Sequence, residues 1–401
     1  MKKNRMKKWM AVFLIMCLVL GVSACGQSNE AEAEKQQKTA EQKEEKAPEE
    51  TEAVEGTETA VREAETADGE AAHKIGFICW SYNGALEQSY KRTMEKLAEE
   101  LQFEVEFAEG SSNEDVLAAV ENLIENGCEG ILATTAPPTM MELCNQSGVY
   151  FVQYSNNVDE ETKEEFEKSE YWLGYVTDND ELAGYNGVKA MYDQGCREIG
   201  LMATSAGMQT NHDNRYAGML RAAEELDMTY YEYRGIDFVN AVQNFCTLYP
   251  DLDSIFCTTA ASGLLDAYVQ TIDSCGMAGQ VKIGTFDIPD NASVYLEEGS
   301  YCFAAGGQFP DAELCVALLL NALNGTRLND GPVYASSAFV EIKSSEDLEN
   351  YNNYVAGETL PYTAEEIKGL LLMENPDASA EDLIQYAENY SIENVMERHG
   401  N

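Results

Sequence analysis

The feature that most constrains the fold is an alternation of short apolar runs with longer amphipathic segments. It begins with "HKIGFICW" at residue 73, continues through "LEQSYKRTMEKLAEEL", and reaches "VYFVQYS" near residue 150. The short runs are typical of buried strands, whereas the longer segments have the helical period of about 3.6 residues. Strands that alternate with helices of about ten to fifteen residues indicate βαβ units and a parallel sheet.

The alternation restarts at "YWLGYV" and passes through "REIGLMA", "SIFCTT" and "VKIGTFD" to the apolar segment "AELCVALLLNALNG". So many strands exceed what one sheet comfortably holds, and the sequence predicts an α/β fold of two doubly wound parallel-sheet lobes. The acidic stretch 157–171 is predicted to be a loop. From residue 357 to residue 401, the pattern predicts two or three helices packed on the outside of the lobes.

The first 25 residues have the pattern of a secretory signal: a basic run, an apolar stretch, and small residues that end at Cys25. The apolar stretch is too short for a comfortable membrane span, and a polar segment follows it. Residues 22–25, "VSAC", are similar to a bacterial lipobox, whose cysteine becomes the lipidated N-terminus. Ordinary secretion, with Cys25 an incidental cysteine, is the alternative. Lipidation would anchor the protein at the extracytoplasmic face of the bacterial cell membrane.

Residues 26–72 hold almost no apolar bulk, no aromatic residue and many carboxylates. Such a composition cannot bury enough surface to offset the entropy of ordering, so this segment is predicted to be a disordered acidic tether. The whole chain carries 71 acidic and 26 basic residues, a formal net charge of −45. Nucleic acid is itself a polyanion and would be repelled, so the charge argues strongly against DNA or RNA as a partner.

Common catalytic and metal-binding motifs are missing from the sequence. Its three histidines, His73, His212 and His399, have no cysteine, serine or second histidine at a spacing typical of a triad or a metal site. No phosphate-binding, dinucleotide-binding or nucleophile-elbow motif is present. The sequence therefore favours a protein that is not an enzyme and needs neither metal nor cofactor. An exported hydrolase is the alternative, with His212 as its one available base near the strand ends.

In open parallel sheets, ligands bind beyond the carboxyl ends of the strands, where the strand order reverses. The residues that directly follow the predicted strands carry mainly hydroxyl, amide and aromatic side chains. Such a surface suits a small, neutral, hydroxyl-rich ligand, because polar groups bond the hydroxyls and aromatic faces pack on C–H surface. These residues are Trp80, Ser81, Tyr82, Asn83, Thr134, Thr135, Ser155, Asn156, Asn157, Thr204, Ser205, Thr258, Thr259, Asp287 and Gln308.

From about residue 73 to residue 343 the chain resembles the type I periplasmic binding proteins of the ribose- and galactose-binding kind. The resemblance lies in "KIGFICWSYNG", "VTDNDELAGYNG", "NRYAGMLRAAEEL", "VKIGTFDIPD" and "GGQFPDAELCVALLLNALNG", which occur in the expected order. It implies a monomeric solute-binding subunit of an ABC importer, which binds a sugar or sugar derivative and docks on a membrane permease. Binding of a nucleoside, or a sensory role toward a membrane receptor kinase, is the alternative within this class.

The resemblance also implies how the lobes are divided. They would be joined by three hinge crossovers, near residues 177, 308 and 336, and would close around the ligand because it contacts both lobes only in the closed state. The implied units are an N-terminal lobe of residues 73–177 and 308–335, a C-terminal lobe of residues 178–307 and 336–356, and a helical extension of residues 357–401.

Individual site residues follow from the same resemblance. Arg215 opens a helix in an R-x-x-G pattern and Asp287 ends a strand, and both fall on ligand-binding positions of the family. Gln308 falls on a ligand-contacting amide at a crossover. Trp80, Tyr82 and Asn83 follow the first strand, where such side chains commonly line the site, whereas Asn156 and Thr259 lie where the family often has Asp-Arg and Asn-Asp. These departures predict a sugar other than a plain pentose or hexose bound in the usual pose.

A purely structural role is the alternative to ligand binding for four of these residues. Arg215 can pair with an acidic side chain on a solvated face, and Asp287 can cap the helix that follows Pro289. Gln308 can form a hinge hydrogen bond without ligand contact, and Trp80 can pack in the core.

Overall fold

The computed structural model describes residues 73–260 and 263–400. The predicted signal at 1–25 with its lipidated Cys25 and the predicted tether at 26–72 lie outside the described residues. Strands and helices alternate as the sequence predicts. The strands are β1 (Lys74–Cys79), β2 (Glu104–Glu109), β3 (Gly130–Ala133), β4 (Tyr150–Tyr154), β5 (Trp172–Asp178), β6 (Glu198–Ala203), β7 (Thr229–Arg234), β8 (Ser254–Cys257), β9 (Lys282–Phe286), β10 (Tyr301–Gly306), β11 (Val333–Ser337) and β12 (Val340–Ile342).

These strands form two six-stranded sheets. The first has the order β11-β5-β4-β3-β1-β2, with parallel pairs throughout. The second has the order β12-β10-β9-β8-β6-β7, in which β12 runs antiparallel to β10 and the other pairs are parallel. Strand order reverses within each sheet, as in doubly wound folds. The predicted fold class of two parallel-sheet lobes is confirmed.

Helices connect the strands, and within residues 73–260 and 263–400 no helix is long and apolar enough to cross a bilayer. A π-helical turn, Tyr351–Val355, follows the eleventh helix. The helices are α1 (Ala85–Leu101), α2 (Asn113–Glu125), α3 (Pro138–Ser147), α4 (Glu160–Phe166), α5 (Asp180–Asp193), α6 (Thr210–Glu225), α7 (Phe238–Leu248), α8 (Leu264–Ser274), α9 (Ala292–Glu298), α10 (Pro310–Leu323), α11 (Ser345–Asn350), α12 (Ala364–Lys368), α13 (Ala380–Glu388) and α14 (Ile392–Arg398).

The chain passes between the two sheets three times. The first crossover leads from β5 into α5, the second from β10 into α10, and the third is the short segment between β11 and β12. The carboxyl ends of β5, β10 and β11 therefore all lie at crossovers. The residue boundaries assigned above to the lobes and the extension stay a prediction.

The prediction of a loop over residues 157–171 is wrong in part, because α4 forms within it. Asp159 caps this helix by accepting a hydrogen bond from the Thr162 N–H at 2.8 Å, and two glutamates in the first turn complement the helix dipole. Phe166 at its end is buried and packs edge-on against Trp172. An acidic surface and one buried aromatic residue are enough to form a short amphipathic helix here.

The C-terminal helices cover α10, which is buried along nearly its whole length. A helix that is apolar on all sides needs cover on all sides. One side of α10 packs on the first sheet, where Cys315 Sγ lies 3.5 Å from the carbonyl oxygen of Gln153. On the other side, Asn321 Nδ2 donates to the carbonyl oxygen of Leu370 at 2.8 Å, between α12 and α13. The predicted extra helices thus complete a hydrophobic core.

α5 and α6 approach each other backbone to backbone at two glycines. A Cβ atom at Gly184 would lie 2.0 Å from the carbonyl oxygen of Arg215, and one at Gly218 would lie 1.8 Å from the carbonyl oxygen of Glu181. No larger residue fits at either position without displacing backbone. Because α5 starts directly after the first crossover, this contact brings Arg215 to the crossover.

Candidate functional site

Arg215 is 4% exposed and lies in the second turn of α6. Its Nε donates to Asp180 Oδ1 at 2.7 Å, and its Nη1 donates to the carbonyl oxygen of Thr258 at 3.1 Å. The guanidinium carbon lies 4.4 Å from the centroid of the Phe286 ring, a cation–π contact. Arg215 therefore does not pair on a solvated face, since Asp180, at the start of α5, is also 4% exposed.

Both partners of this ion pair are charged at neutral pH. Burial lowers the pKa of Arg215, but Asp180 and Asp287 raise it, and the net result is a raised pKa. Burial raises the pKa of Asp180 to about 6, although Arg215 opposes this rise. The pair is thus a buried, charge-assisted hydrogen bond with fixed geometry.

Asp287 follows β9 with a φ of 67°, in the left-handed region. Strained backbone of this kind clusters at functional sites. Its N–H donates to the carbonyl oxygen of Ala305 at 2.8 Å, and its Oδ2 accepts from Thr259 Oγ1 at 3.2 Å and from the Ala260 N–H at 3.4 Å. Asp287 does not cap α9, whose N-cap residue is Asn291. The carboxylate is instead held at the strand tip by the end of β8.

The first sheet has a matching feature at the end of β4. Ser155 adopts a φ of 60°, and its Oγ donates to Asp178 Oδ2 at 3.2 Å. Asn156, which the sequence places in the site, is the next residue and is half-buried. In chain order, β4 and β9 are each the fourth strand of their sheet, so both lobes present a left-handed residue at the equivalent strand end.

Two buried carboxyl groups lie at the crossovers. Asp178 ends β5, and Asp311 lies in the first turn of α10 and is 1% exposed. Asp178 Oδ1 and both carboxyl oxygens of Asp311 are buried and accept no hydrogen bond from any residue that the structure describes. Burial raises the pKa of Asp178 well above its usual range and that of Asp311 to about 7, although the polar side chains of Asp178 and Ser337 oppose the rise at Asp311. The pair therefore retains a proton near neutral pH.

Gln308 lies at the second crossover and is 3% exposed. Its side-chain Oε1 is buried and accepts no hydrogen bond from any residue that the structure describes. Buried acceptors are nearly always paired, so an unpaired one calls for a functional explanation. Among the described residues, Gln308 Oε1 therefore forms no hinge hydrogen bond, which was the structural alternative for this side chain.

Trp80, Tyr82 and Asn83 follow β1 of the first sheet, whereas Asp287 follows β9 of the second sheet. Trp80 Nε1 donates to Glu87 Oε1 at 2.5 Å, and Trp80 borders a groove of about 570 Å³ along β2 and α2. The Tyr82 hydroxyl donates to the carbonyl oxygen of Phe77 at 3.2 Å, and Asn83 is exposed. Among the described residues, none of the three hydrogen-bonds to the cluster around the Arg215 guanidinium.

Sequence reasoning missed Asp178, Asp180 and Asp311. Their signal was position, because one ends a strand and two lie in the first turns of helices at crossovers. In a chain with 71 acidic residues, that signal is weak without the fold. In the described part of the chain, no group of three or more His, Cys, Asp or Glu side chains is arranged to hold a metal ion.

Two parallel-sheet lobes, three crossovers and buried polar groups at the adjoining strand ends define a two-lobed binding protein. The chain belongs to the family described as periplasmic binding protein domain, whose model matches residues 75–327. Its fold is that of the type I periplasmic binding proteins, and the family is one of binding proteins. No curated protein matches the chain.

Solved structures share the fold at low sequence identity. An ABC transporter periplasmic solute-binding protein from Actinobacillus succinogenes, with bound D-allose, aligns with a TM-score of 0.60 at 18% identity, over 70% of this chain and 100% of that one. A periplasmic sugar-binding protein from Pseudomonas fluorescens aligns with a TM-score of 0.63 at 14% identity, over 80% and 99%. A glucose-galactose binding protein from Geobacillus stearothermophilus aligns with a TM-score of 0.57 at 13% identity, over 70% and 99%.

Proposed function

We propose that this protein is the lipid-anchored, extracytoplasmic solute-binding subunit of an ABC importer, and that it binds a sugar or sugar derivative between its lobes. One observation carries the proposal: Arg215, Asp180, Thr259 and Asp287 converge at the carboxyl ends of the second sheet, beside a crossover. This is the position at which doubly wound sheets bind small ligands. The protein would act as a monomer that closes on its ligand and then docks on a membrane permease.

The charges of the cluster favour a neutral ligand over an anion. An anion would meet the carboxylates of Asp180 and Asp287 beside the guanidinium of Arg215, and the Asp178–Asp311 pair, which retains one proton, offers it no positive charge. Hydroxyl groups both donate and accept, so a polyol can accept from a guanidinium and donate to a carboxylate. D-allose, which is bound in one of the solved structures with this fold, is such a neutral polyol.

The ionisation of His212 supports binding rather than hydrolysis. Burial, the largest cause, and the charge of Arg215 together lower the pKa of His212 to about 3. A general base is most effective when its pKa lies near the working pH, so His212 is a poor base at neutral pH. The exported hydrolase is therefore the weaker candidate, and loss of turnover of any substrate in His212→Ala would revive it.

The ligand class is tested by thermal unfolding and calorimetry of the purified protein with D-allose, D-galactose, D-glucose, L-arabinose and adenosine. A ligand at one hundred times its Kd stabilises the native state by about 2.7 kcal/mol, so binding raises the melting temperature. Stabilisation by at least one of the four sugars supports the proposal. Stabilisation by adenosine alone would replace it with nucleoside binding.

The anchor and the transport role have separate tests. Mass spectrometry of the mature N-terminus is expected to find acylated Cys25, and Cys25→Ala is expected to abolish membrane attachment. Deleting the protein is expected to abolish uptake of the bound sugar. Intact uptake together with a lost transcriptional response to that sugar would indicate the sensory role instead.

A further inference from the structure

His212 belongs to the same strand tip as the proposed ligand-binding residues. It lies one turn before Arg215 on α6, and its Nδ1 is 2.8 Å from Thr258 Oγ1. The carbonyl oxygen of Thr258 accepts from Arg215, and the neighbouring Thr259 donates to Asp287. Two adjacent threonines at the end of β8 therefore hold all three side chains.

The buried hydroxyl of Thr258 decides which imidazole nitrogen carries the proton. Among the described residues, His212 Nδ1 is the only hydrogen-bond partner of Thr258 Oγ1, and Thr258 is fully buried. If Nδ1 carried the proton, it would donate to Oγ1, and the hydroxyl hydrogen would be buried without an acceptor, at a cost of roughly 1–3 kcal/mol. The hydroxyl therefore donates to Nδ1, which leaves the proton of the neutral ring on Nε2.

The imidazole is neutral across the physiological range. Burial is the largest cause of its lowered pKa of about 3; the charge of Arg215 adds to it, Asp213 opposes it, and Arg234 lowers the pKa again. Asp213 is itself engaged in an ion pair with Arg234. His212 is thus a permanent neutral donor and not a switch that responds to pH near neutrality.

The Nε2 edge of this ring is the part that remains available. His212 is 8% exposed. Its Nε2 forms no hydrogen bond with any residue that the structure describes, and this atom is not fully buried. It therefore keeps contact with solvent. α6 follows β6, so this edge lies at the carboxyl ends of the second sheet, as do Arg215 and Asp287.

We propose that His212 is a further ligand-binding residue of this site, whose Nε2–H donates to an acceptor oxygen of the ligand, and that Thr258 is the positioning residue that fixes this tautomer. The proposal rests on the proposed function and deepens it. It requires a ligand that accepts a hydrogen bond from α6 and also donates one to Asp287. A sugar ring oxygen or hydroxyl beside a second hydroxyl meets that requirement.

The tautomer is tested without any ligand, by long-range ¹H–¹⁵N NMR of tag-free protein labelled in histidine. The chain has three histidines, so His73 and His399 are internal controls in the same spectrum. We expect His212 to show the Nε2–H pattern and no titration between pH 5 and 8. Thr258→Val keeps the side-chain shape and the carbonyl but removes the hydroxyl, and should shift the ring toward Nδ1–H, whereas Thr258→Ser should not. An Nδ1–H pattern in the wild type would overturn the assignment.

Ligand contact is tested in the same spectrum with whichever of D-allose, D-galactose, D-glucose and L-arabinose most raises the melting temperature. We expect the His212 Nε2 signal to shift while that of His399 stays fixed. His212→Asn keeps an acceptor near Thr258 but loses the Nε2 donor, and should weaken binding at least tenfold; His212→Gln reaches the Nε2 position and should weaken it less.

An unshifted His212 signal, or equal affinity of wild type and His212→Asn, would overturn the contact. If His212→Asn fails to fold, as judged by thermal unfolding, the wild-type spectrum decides alone. If none of the four sugars binds, the proposed sugar function falls and the ligand contact falls with it. The tautomer and its dependence on Thr258 are still decided by the ligand-free spectra.

Discussion

Arg215 and Asp180 form a buried ion pair, 2.7 Å from Nε to Oδ1, which joins α6 to the first turn of α5. α5 is the helix that leaves the first crossover, so this pair connects the proposed ligand-binding surface to the hinge. Removing one partner leaves the other charge buried and uncompensated, which is costly in a low-dielectric interior.

We therefore expect Asp180→Ala to lower the free energy of unfolding by about 3–5 kcal/mol, measured by urea denaturation. Lys189→Ala is the matched control on the same helix, because it removes an exposed pair with Asp193, 2.6 Å from Nζ to Oδ2. Exposed ion pairs contribute little, so its unfolding curve should hardly move. Similar losses in both variants would contradict a special role for the buried pair.

The contact between α5 and α6 depends on Gly218, where a Cβ atom would lie 1.8 Å from the carbonyl oxygen of Glu181. Gly218→Ala should force the helices apart and lower the free energy of unfolding by about 1–3 kcal/mol. It should also weaken sugar binding, because Arg215 moves with its helix. Gly331→Ala is the control, since a Cβ atom there meets open space. Calorimetry and urea denaturation of both variants check the two effects.

Asp287 combines a left-handed backbone with a side chain proposed to bind ligand. Asn and Gly both tolerate this conformation, so Asp287→Asn and Asp287→Gly should fold normally and yet lose more than tenfold in sugar affinity. Asp287→Val should be destabilised by about 1–3 kcal/mol, because a β-branched residue is strained there. Thermal unfolding with calorimetry separates the two outcomes. Normal affinity in Asp287→Asn would remove the carboxylate from the site.

The sequence predicted the parts of this fold that repeat. Apolar runs such as that of β9 and periodic helices such as α6 are local patterns, and their alternation alone indicates two doubly wound sheets. It also placed Asp287 at a strand end, whereas Arg215 does not open its helix but lies in the second turn, because α6 begins at Thr210. Their partners could not be predicted, because Asp180 and Thr258 lie on elements that are far from Arg215 in the chain. The helix contact at two glycines brings Asp180 to Arg215, whereas Thr258 follows β8.

The placing of Trp80 and Tyr82 in the ligand site stays a prediction. The sequence predicts it because both residues follow β1, and in the structure each side chain bonds groups near its own strand end. Hydrogen bonds to Glu87 and to the Phe77 carbonyl oxygen satisfy their polar atoms locally.

The raised pKa of Asp311 predicts that the free energy of unfolding falls as the pH rises. Burial raises its pKa to about 7 in the folded protein, whereas an unfolded aspartate has a pKa of about 3.9. Between these values the folded state binds more protons than the unfolded state, so this contribution is complete below about pH 4 and is lost as the pH rises through 7. The slope is at most about 1.4 kcal/mol per pH unit for one proton.

Asp311→Asn removes this titration. The contributions of the other titrating groups cancel when the variant is compared with wild type. Urea denaturation at intervals from pH 4 to pH 8 should give the variant a flatter decline in the free energy of unfolding. Asp178 acts in the same direction because burial raises its pKa too. Parallel curves for wild type and Asp311→Asn would show that Asp311 is ionised throughout.

The C-terminal helical region forms hydrogen bonds with two of the three crossovers. The Tyr390 hydroxyl donates to the carbonyl oxygen of Gly307 at 2.7 Å, in the second crossover. The carbonyl oxygen of Ala387 accepts from the Ala338 N–H at 3.2 Å, in the third. Tyr390→Phe should lower the free energy of unfolding by about 0.5–1.5 kcal/mol, the usual contribution of one hydrogen bond. Tyr185→Phe, which removes an exposed hydroxyl bound to Glu225, is the control.

Hydrogen exchange distinguishes a local restraint on the hinge from a general loss of stability. If Tyr390 restrains the crossover, Tyr390→Phe should speed amide exchange in residues 306–310 before the strands of either sheet, because local opening needs less free energy than global unfolding. If it only adds to global stability, the slowest amides throughout the molecule should accelerate together. The Tyr185→Phe control should change neither group. Uniform acceleration would therefore assign the C-terminal helices to the core around α10 alone, with no separate role at the hinge.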